Sequence, residues 1–164
     1  MRRRACVGLA LAVSLALAPG RAAPAVDASD LRVVARDGTQ RIFTVADVAA
    51  MPSVMRQVAF QGEHGQTTGN FGGPLLWTLL DRAGAIPSDV RSHVRMIVTT
   101  TGSDGYTAVL ALGEIDPAFE AKEVMLATEQ DGKPVSGTGL RLIVPGDKRG
   151  GRSVRDVVRI AVGG

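Results

Sequence analysis

Residues 139–160 read GLRLIVPGDKRGGRSVRDVVRI, two runs of branched apolar residues on either side of a stretch of glycines and cations. Residues 140–144 and 153–162 are predicted strands, because Val, Ile and Leu in this density fit a pleated, half-buried surface. The connector, residues 145–152, is too polar and glycine-rich to be core. Its glycines let backbone amides come close to a ligand, and Lys148, Arg149 and Arg152 offer donors suited to phosphate or another oxyanion. This loop is the leading candidate for an anion site.

Part of it, GDKRGGRS at 146–153, is one Lys-to-Arg change from the nucleotide-binding pattern G-x-x-x-x-G-K-[ST]. In that pattern the loop opens a helix. Here Val154, Val157, Val158, Ile160 and Val162 follow, a strand sequence, with no helix to carry the loop and no chain beyond that strand for a magnesium-binding acid. A nucleotide hydrolase is therefore set aside.

The segment resembles the molybdopterin-binding domain of the sulfite oxidase family. That family ends in R-L-x-V-P-G, a glycine turn, then [KR]-S-[IV]-[KR]-x-[IV]-x-x-I, matched by residues 141–146 and 152–160. FGGPLLWTLLDRAG at 71–84 is similar to its helix entry, and GSDGY at 102–106 to its S-x-D-G-Y turn, in the same order. The likeness spans about Val58 to the C-terminus. It implies a sheet-dominated α+β domain of the sulfite-oxidase type that binds molybdopterin, with or without molybdenum. It also implies that Lys148, Arg149 and Arg152, with Ser153 and Arg155, hold the terminal phosphate.

The N-terminus reads differently from the rest. Arg2, Arg3 and Arg4 precede an apolar run from Ala5 to Ala18, and Ala23-Pro24-Ala25 offers a small-residue cleavage site, so residues 1–25 are expected to be a secretory signal peptide. The run is too short to span a bilayer comfortably. The clustered arginines also suit a twin-arginine route, although its wider consensus is absent. A periplasmic or secreted protein is expected.

Of the 19 basic residues four lie in this leader, and none of the 16 acids does, so the mature chain is close to neutral. Its positive charge is concentrated at Arg141, Lys148, Arg149, Arg152, Arg155 and Arg159. Local positive charge on a neutral protein points to a small anion rather than to nucleic acid. Residues 26–164 are about the length of one domain. Cys6 lies in the leader, so the mature chain has no thiol for disulfides or thiolate-bound zinc.

Along the mature chain, Asp37-Gly38 predicts a hairpin between strands at 31–35 and 40–43. Thr44 and Asp47 resemble a capping box opening a short helix that Pro52 stops. A strand is predicted over 54–60, a polar loop over 61–70, and a helix whose first residue is Pro74 and which Gly84 closes. Strands at 93–101 and 106–111 flank the 102–105 turn. Others at 123–128 and 140–144 flank Asp131-Gly132.

In the 61–70 loop, His64 could donate to an oxyanion or a pterin, and Gln61 and Asn70 could pair with pterin heteroatoms. The plainer reading is a solvated loop. The resemblance favours His64 as the residue facing the reacting centre, but catalytic family members coordinate molybdenum through a cysteine near residues 58–63, where this chain has VAFQGE. Gln61, Glu63 or His64 would make a harder ligand. Asp104 and Tyr106 are candidate pterin contacts by the same resemblance, while an Asp in such a turn also commonly bonds its own backbone. Arg141 lies among apolar residues and, if buried, needs an anion: Asp156, Glu123 or a ligand. Arg155 and Arg159 are expected on one strand face with Val157 between them.

The expected function is an exported molybdopterin-binding protein, an oxidoreductase with an atypical metal shell and, if catalytic, a redox partner protein. The alternative is a non-catalytic periplasmic binding or accessory module that keeps the fold and an anion pocket. No G-x-S-x-G elbow or H-E-x-x-H spacing supports a serine hydrolase or a zinc enzyme.

Overall fold

The computed structural model describes residues 30–62 and 65–164. The expected leader, and Glu63 and His64, lie outside the described residues. Strands β1 (Leu31–Val34) and β2 (Gln40–Phe43) form the predicted hairpin, with Gly38 in the left-handed region at φ 84°. Helix α1 (Val45–Ala49) opens on the predicted capping box: the Asp47 amide donates to Thr44 Oγ1 at 3.1 Å and the Thr44 amide to Asp47 Oδ2 at 2.9 Å.

The chain then departs from expectation. Strand β3 (Ser53–Gly62) is followed by a second long strand, β4 (Gly65–Pro74), where a polar loop was predicted. They pair in register from Ser53 with Pro74 to Gly62 with Gly65. The glycines that suggested a loop are sites of close packing. A Cβ on Gly69 would meet Gln130 Nε2 at 3.0 Å, and one on Gly73 would run into the Leu126 carbonyl and lie 2.8 Å from Ala127 Cα.

Pro74 therefore ends a strand, and helix α2 (Leu76–Arg82) starts two residues later. No side chain caps it; its first amide, Leu76, donates to the Val124 carbonyl at 2.8 Å. Gly84 closes it as expected, at φ 67°.

Two short helices were not anticipated: α3 (Val90–His93) and α4 (Leu112–Ile115). Because His93 belongs to α3, strand β5 (Ile97–Gly102) begins later than predicted, and pairs with β6 (Thr107–Ala111). Strand β7 (Met125–Ala127) leads into a small hairpin, β8 (Glu129–Gln130) and β9 (Lys133–Pro134), turning at Asp131-Gly132. Strand β10 (Arg141–Ile143) pairs with β7 rather than with the last strand, β11 (Val157–Gly163).

These strands make three sheets, ordered β2-β1-β11-β5-β6, β10-β7 and β3-β4-β8-β9. The last strand lies in the middle of the largest, parallel to β1 and antiparallel to β5. The β7–β10 ribbon separates two cores. Leu126 and Leu142 join the larger, with Leu31, Ile160, Leu79 and Leu112, while Met125, Ala127 and Ile143 face a smaller one with Val58, Phe60 and Phe71. Each such side chain contributes about 1.5–3 kcal/mol on burial. Alternation along β10 places Arg141 on the same face as Ile143, toward the smaller core.

Between β10 and β11 the chain makes a 3-10 turn at Gly150–Arg152, with no α-helix after the glycines. Asp156 takes a left-handed φ of 49°, and the β11–β5 register shifts between Val157 and Arg159. Val157 is consequently buried and Arg159 exposed, so the expected shared face of Arg155, Val157 and Arg159 does not form.

Candidate functional site

The loop from Pro145 to Asp156 is tied down at several points. The Gln61 amide at the end of β3 donates to the Lys148 carbonyl at 3.0 Å, and Gly150 lies so close to Phe60 that a Cβ there would sit 2.9 Å from its ring. From the other side, the Tyr106 hydroxyl donates to the Gly151 carbonyl at 2.6 Å. Asp104 shapes that turn by accepting from the Tyr106 amide at 2.9 Å, and the Ser103 amide donates to the Asp156 carbonyl at 2.8 Å. The S-x-D-G-Y turn thus clamps the cationic loop.

Arg152 is engaged within the protein. Its Nε and one terminal nitrogen donate to the two oxygens of Asp147, at 2.9 and 2.6 Å, and the other terminal nitrogen reaches Glu114 at 3.1 Å. Hydrogen bonding to Asp147 above all holds its pKa well above the ordinary arginine value, against the opposing effect of burial. Lys148 and Arg149 are exposed and without an ion pair among the described residues.

Arg141 is the opposite case. It is 8 % exposed, its Nε donates to Ser153 Oγ at 3.0 Å, and its guanidinium carbon lies 5.6 Å and 5.5 Å from the ring centroids of Phe60 and Phe71. No carboxylate among the described residues pairs with it. Glu123 is taken by Arg56, and Asp156 Oδ1 accepts the Thr138 amide at 2.7 Å. Burial first, and then the like charge of Arg155, lower its pKa. A buried cation costs several kcal/mol to desolvate, and ring contacts return about 0.5–2 kcal/mol. An anion in contact with this guanidinium would offset that cost.

The structure has room for one. Arg141 and Arg155 meet in an isolated β-bridge and line a cavity of about 540 Å³, with Lys133, Asp131 and Gln130 opposite on the β8–β9 hairpin and Asp156 beside Arg155. Asn70 supports that hairpin through its backbone: its amide donates to Asp131 Oδ1 at 2.9 Å and its carbonyl accepts the Asp131 amide at 2.8 Å. Gln61 is exposed where β3 meets Arg149. His64 lies outside the described residues.

Asp131, Lys133 and the two phenylalanines went unnoticed as site residues in the sequence, and Asp156 was considered only as a partner for Arg141. Asp131-Gly132 was legible as a turn, but nothing in it indicated that the turn faces Arg141. At the metal end, the stretch from Val58 to Gly62 supplies two core side chains, Val58 and Phe60, and no thiol. Among the described residues no group of three His, Cys, Asp or Glu is placed to hold a metal ion. Among the described residues the cationic donors suit a phosphate-bearing group such as the end of a molybdopterin, and no thiolate stands with them.

The family described as oxidoreductase molybdopterin binding domain matches residues 21–163. No curated protein sequence matches the chain. Among solved structures, the crystal structure of the sulfane dehydrogenase SoxCD from Paracoccus pantotrophus superposes with a TM-score of 0.65 at 18 % identity, over 82 % of this chain and 38 % of that one. The chain thus spans well under half the length of that relative. The likeness settles the fold as the sulfite-oxidase type expected from the motifs. No helix among the described residues is long and apolar enough to cross a membrane.

Proposed function

The chain belongs to the oxidoreductase molybdopterin-binding domain family, and on that premise we propose that it is an exported single domain seating molybdopterin in the cavity beneath Arg141 and Arg155. The observation that carries this reading is Arg141, a buried guanidinium without a carboxylate partner among the described residues, which lines a cavity together with a second arginine, Arg155. Arg141 and Arg155 would hold the terminal phosphate, with Ser153 fixing the orientation of Arg141. Lys148 and Arg149 add unpaired positive charge, while Arg152, braced by Asp147 and Glu114, keeps the loop in shape. Asp104 and Tyr106 act by holding that loop, and Gln61 and Asn70 by anchoring its surroundings. His64 is assigned to the reacting centre on its sequence position between β3 and β4. Export is supported by the arginines, apolar run and cleavage site of residues 1–25.

Bound molybdenum would supply two-electron redox chemistry to an oxidoreductase of this kind. The protein's own residues bind and orient the anionic end of the cofactor. The missing thiolate favours a second reading, a non-catalytic binding or accessory module that keeps the pocket without the redox step.

Both readings require the pocket, and Arg141→Met tests it. Protein purified after export is oxidised and its pterin measured by fluorescence, with molybdenum by elemental analysis. The parent should retain pterin near one per chain and the variant about tenfold less, as expected for loss of a charge-assisted hydrogen bond. Without ligand the variant should melt a few degrees higher, because an uncompensated buried cation has gone. Pterin without molybdenum supports the accessory module. A parent free of pterin and indifferent to pyrophosphate in a melting assay would remove the proposal.

A further inference from the structure

Open sheets end in strands with unpaired backbone groups, and the two larger sheets of this protein end in β2, β6, β3 and β9. Three of these are guarded among the described residues. Strand β9 consists of Lys133 and Pro134, β2 carries Gln40 and Arg41, and β3 carries Arg56 and meets the cationic loop where the Gln61 amide donates to the Lys148 carbonyl. Charge, proline and covering segments are the usual means of keeping an edge from pairing. Strand β6, Thr107-Ala108-Val109-Leu110-Ala111, has no charge and no proline, and pairs with β5 from Thr107 to Ala111 without a bulge.

Its hydrogen bonds fix which backbone groups face outward. The Gly102 amide donates to the Tyr106 carbonyl and the Leu112 amide to the Met96 carbonyl, both at 2.9 Å, so Ala108 and Leu110 between them bond to β5. The amides and carbonyls of Thr107 and Val109, and the Ala111 amide, point away from the sheet and have no partner among the described residues. On the solvent-facing side Val109 and Ile97 are diagonal neighbours, each about half exposed. Exposed Val94 extends this patch beside α4, where a Cβ on Gly113 would lie 3.9 Å from Val94 Cα.

We propose that β6 is the contact strand of a two-fold homodimer, antiparallel to its copy, with Val109 opposite its own counterpart. In that register each Val109 amide donates to the other's carbonyl and each Ala111 amide reaches the opposite Thr107 carbonyl, so the two large sheets become one. A two-fold axis sets side chains near it against their like, which repels wherever the strand is charged, as Arg41 would in β2. Strand β6 has no charge with which to repel itself, and Val109 and Ile97 gain burial. Self-complementarity of this kind selects a second copy over a foreign strand. Few side chains take part, so the dimer belongs with the small, weak interfaces.

Sedimentation equilibrium of the purified protein, combined with amide exchange, tests this. Between about 10 and about 500 µM the parent should pass from monomer to dimer. Exchange at Val109 and Ala111 should slow several-fold over that range, while Ala108 and Leu110, already bonded to β5, stay unchanged. Val109→Lys and Val109→Glu should each weaken dimerisation at least about tenfold by placing like charges on the axis. Their equimolar mixture should restore it, because opposite charges then meet. Both substitutions fall on an exposed face, so parent-like melting is expected, and the exchange pattern of the parent decides the matter whether or not the variants fold. A parent that stays monomeric with Val109 exchanging freely would overturn the proposal and leave the edge to a strand of another protein. So would a dimer in which Val109 exchange is unchanged, one that both variants leave intact, or one that the mixture of folded variants fails to restore, since the axis then lies elsewhere.

Discussion

The hydroxyl of Tyr106 donates to the carbonyl of Gly151 at 2.6 Å, joining the turn between β5 and β6 to the glycines of the cationic loop. The bond spans 45 residues of sequence and lies at an exposed position, where one neutral hydrogen bond contributes about 1 kcal/mol. Tyr106→Phe should therefore leave the melting temperature within about 2–4 °C of the parent. Amide exchange at residues 148–152 should quicken several-fold. Unchanged exchange there would show that the loop's other ties, Arg152 and the Gln61–Lys148 hydrogen bond among them, hold it without Tyr106.

Arg152 is expected to matter to the fold. Its guanidinium joins Asp147 of its own loop to Glu114 of α4, and all three side chains are less than a third exposed. Arg152→Ala should cost about 1–3 kcal/mol in urea unfolding, because two carboxylates lose a charged donor. Arg152→Lys should recover little, since a single ammonium cannot reproduce the bidentate contact. A variant of parental stability would contradict the bracing role.

The β4 strand makes its own prediction through Gly73. A Cβ at this position would meet the backbone of Leu126 and Ala127, which cannot swing aside as a flexible side chain could. Gly73→Ala should destabilise the protein by about 2–3 kcal/mol. At Gly151, where a Cβ would meet nothing within 4 Å, the same substitution should be nearly neutral. Equal effects at the two sites would argue against the close approach of β4 to β7.

His93 carries the clearest pH dependence. It is 2 % exposed, with Nδ1 2.6 Å from Asp116 Oδ2 and Nε2 2.8 Å from the Pro87 carbonyl, so both ring nitrogens face acceptors and the imidazolium satisfies both. Burial works against the charge. The hydrogen bonds to Asp116 and Pro87, with the charges of Asp116 and Asp89, outweigh it and raise the pKa above the usual 6.5. A folded-state pKa above the unfolded one gives stability that is fully present below the unfolded value and is lost as pH rises through the folded one. Urea midpoints should accordingly fall as pH rises above about 6.5 and through the higher folded-state pKa, and His93→Gln should flatten that part of the curve. A parent curve already flat there would mean His93 is neutral in the fold.

Local chemistry made much of this legible. The Asp37-Gly38 hairpin, the Thr44–Asp47 cap and the Gly84 stop depend on backbone conformations set by a few neighbouring residues. The apolar content of β10 and β11 likewise marked them as strands. Where close packing replaced side-chain pattern, the reading failed. Glycine in β4 looks the same as glycine in a loop until the neighbouring β7 and β8 strands are in place. Val157 and Arg159 parted because a bulge, invisible in the alternation of residue types, resets which face each occupies.

The site divides along the same line. Order and spacing of the R-L-x-V-P-G, S-x-D-G-Y and cation motifs were enough for family and fold, since they report short-range turn and strand geometry. Which cation is satisfied and which is left waiting was settled by long-range packing. Arg152 found Asp147 and Glu114, while Arg141 was enclosed by Phe60, Phe71 and a second arginine. A charge's partner depends on distances of a few ångströms between segments far apart in the chain, and those exist only once the sheets have packed.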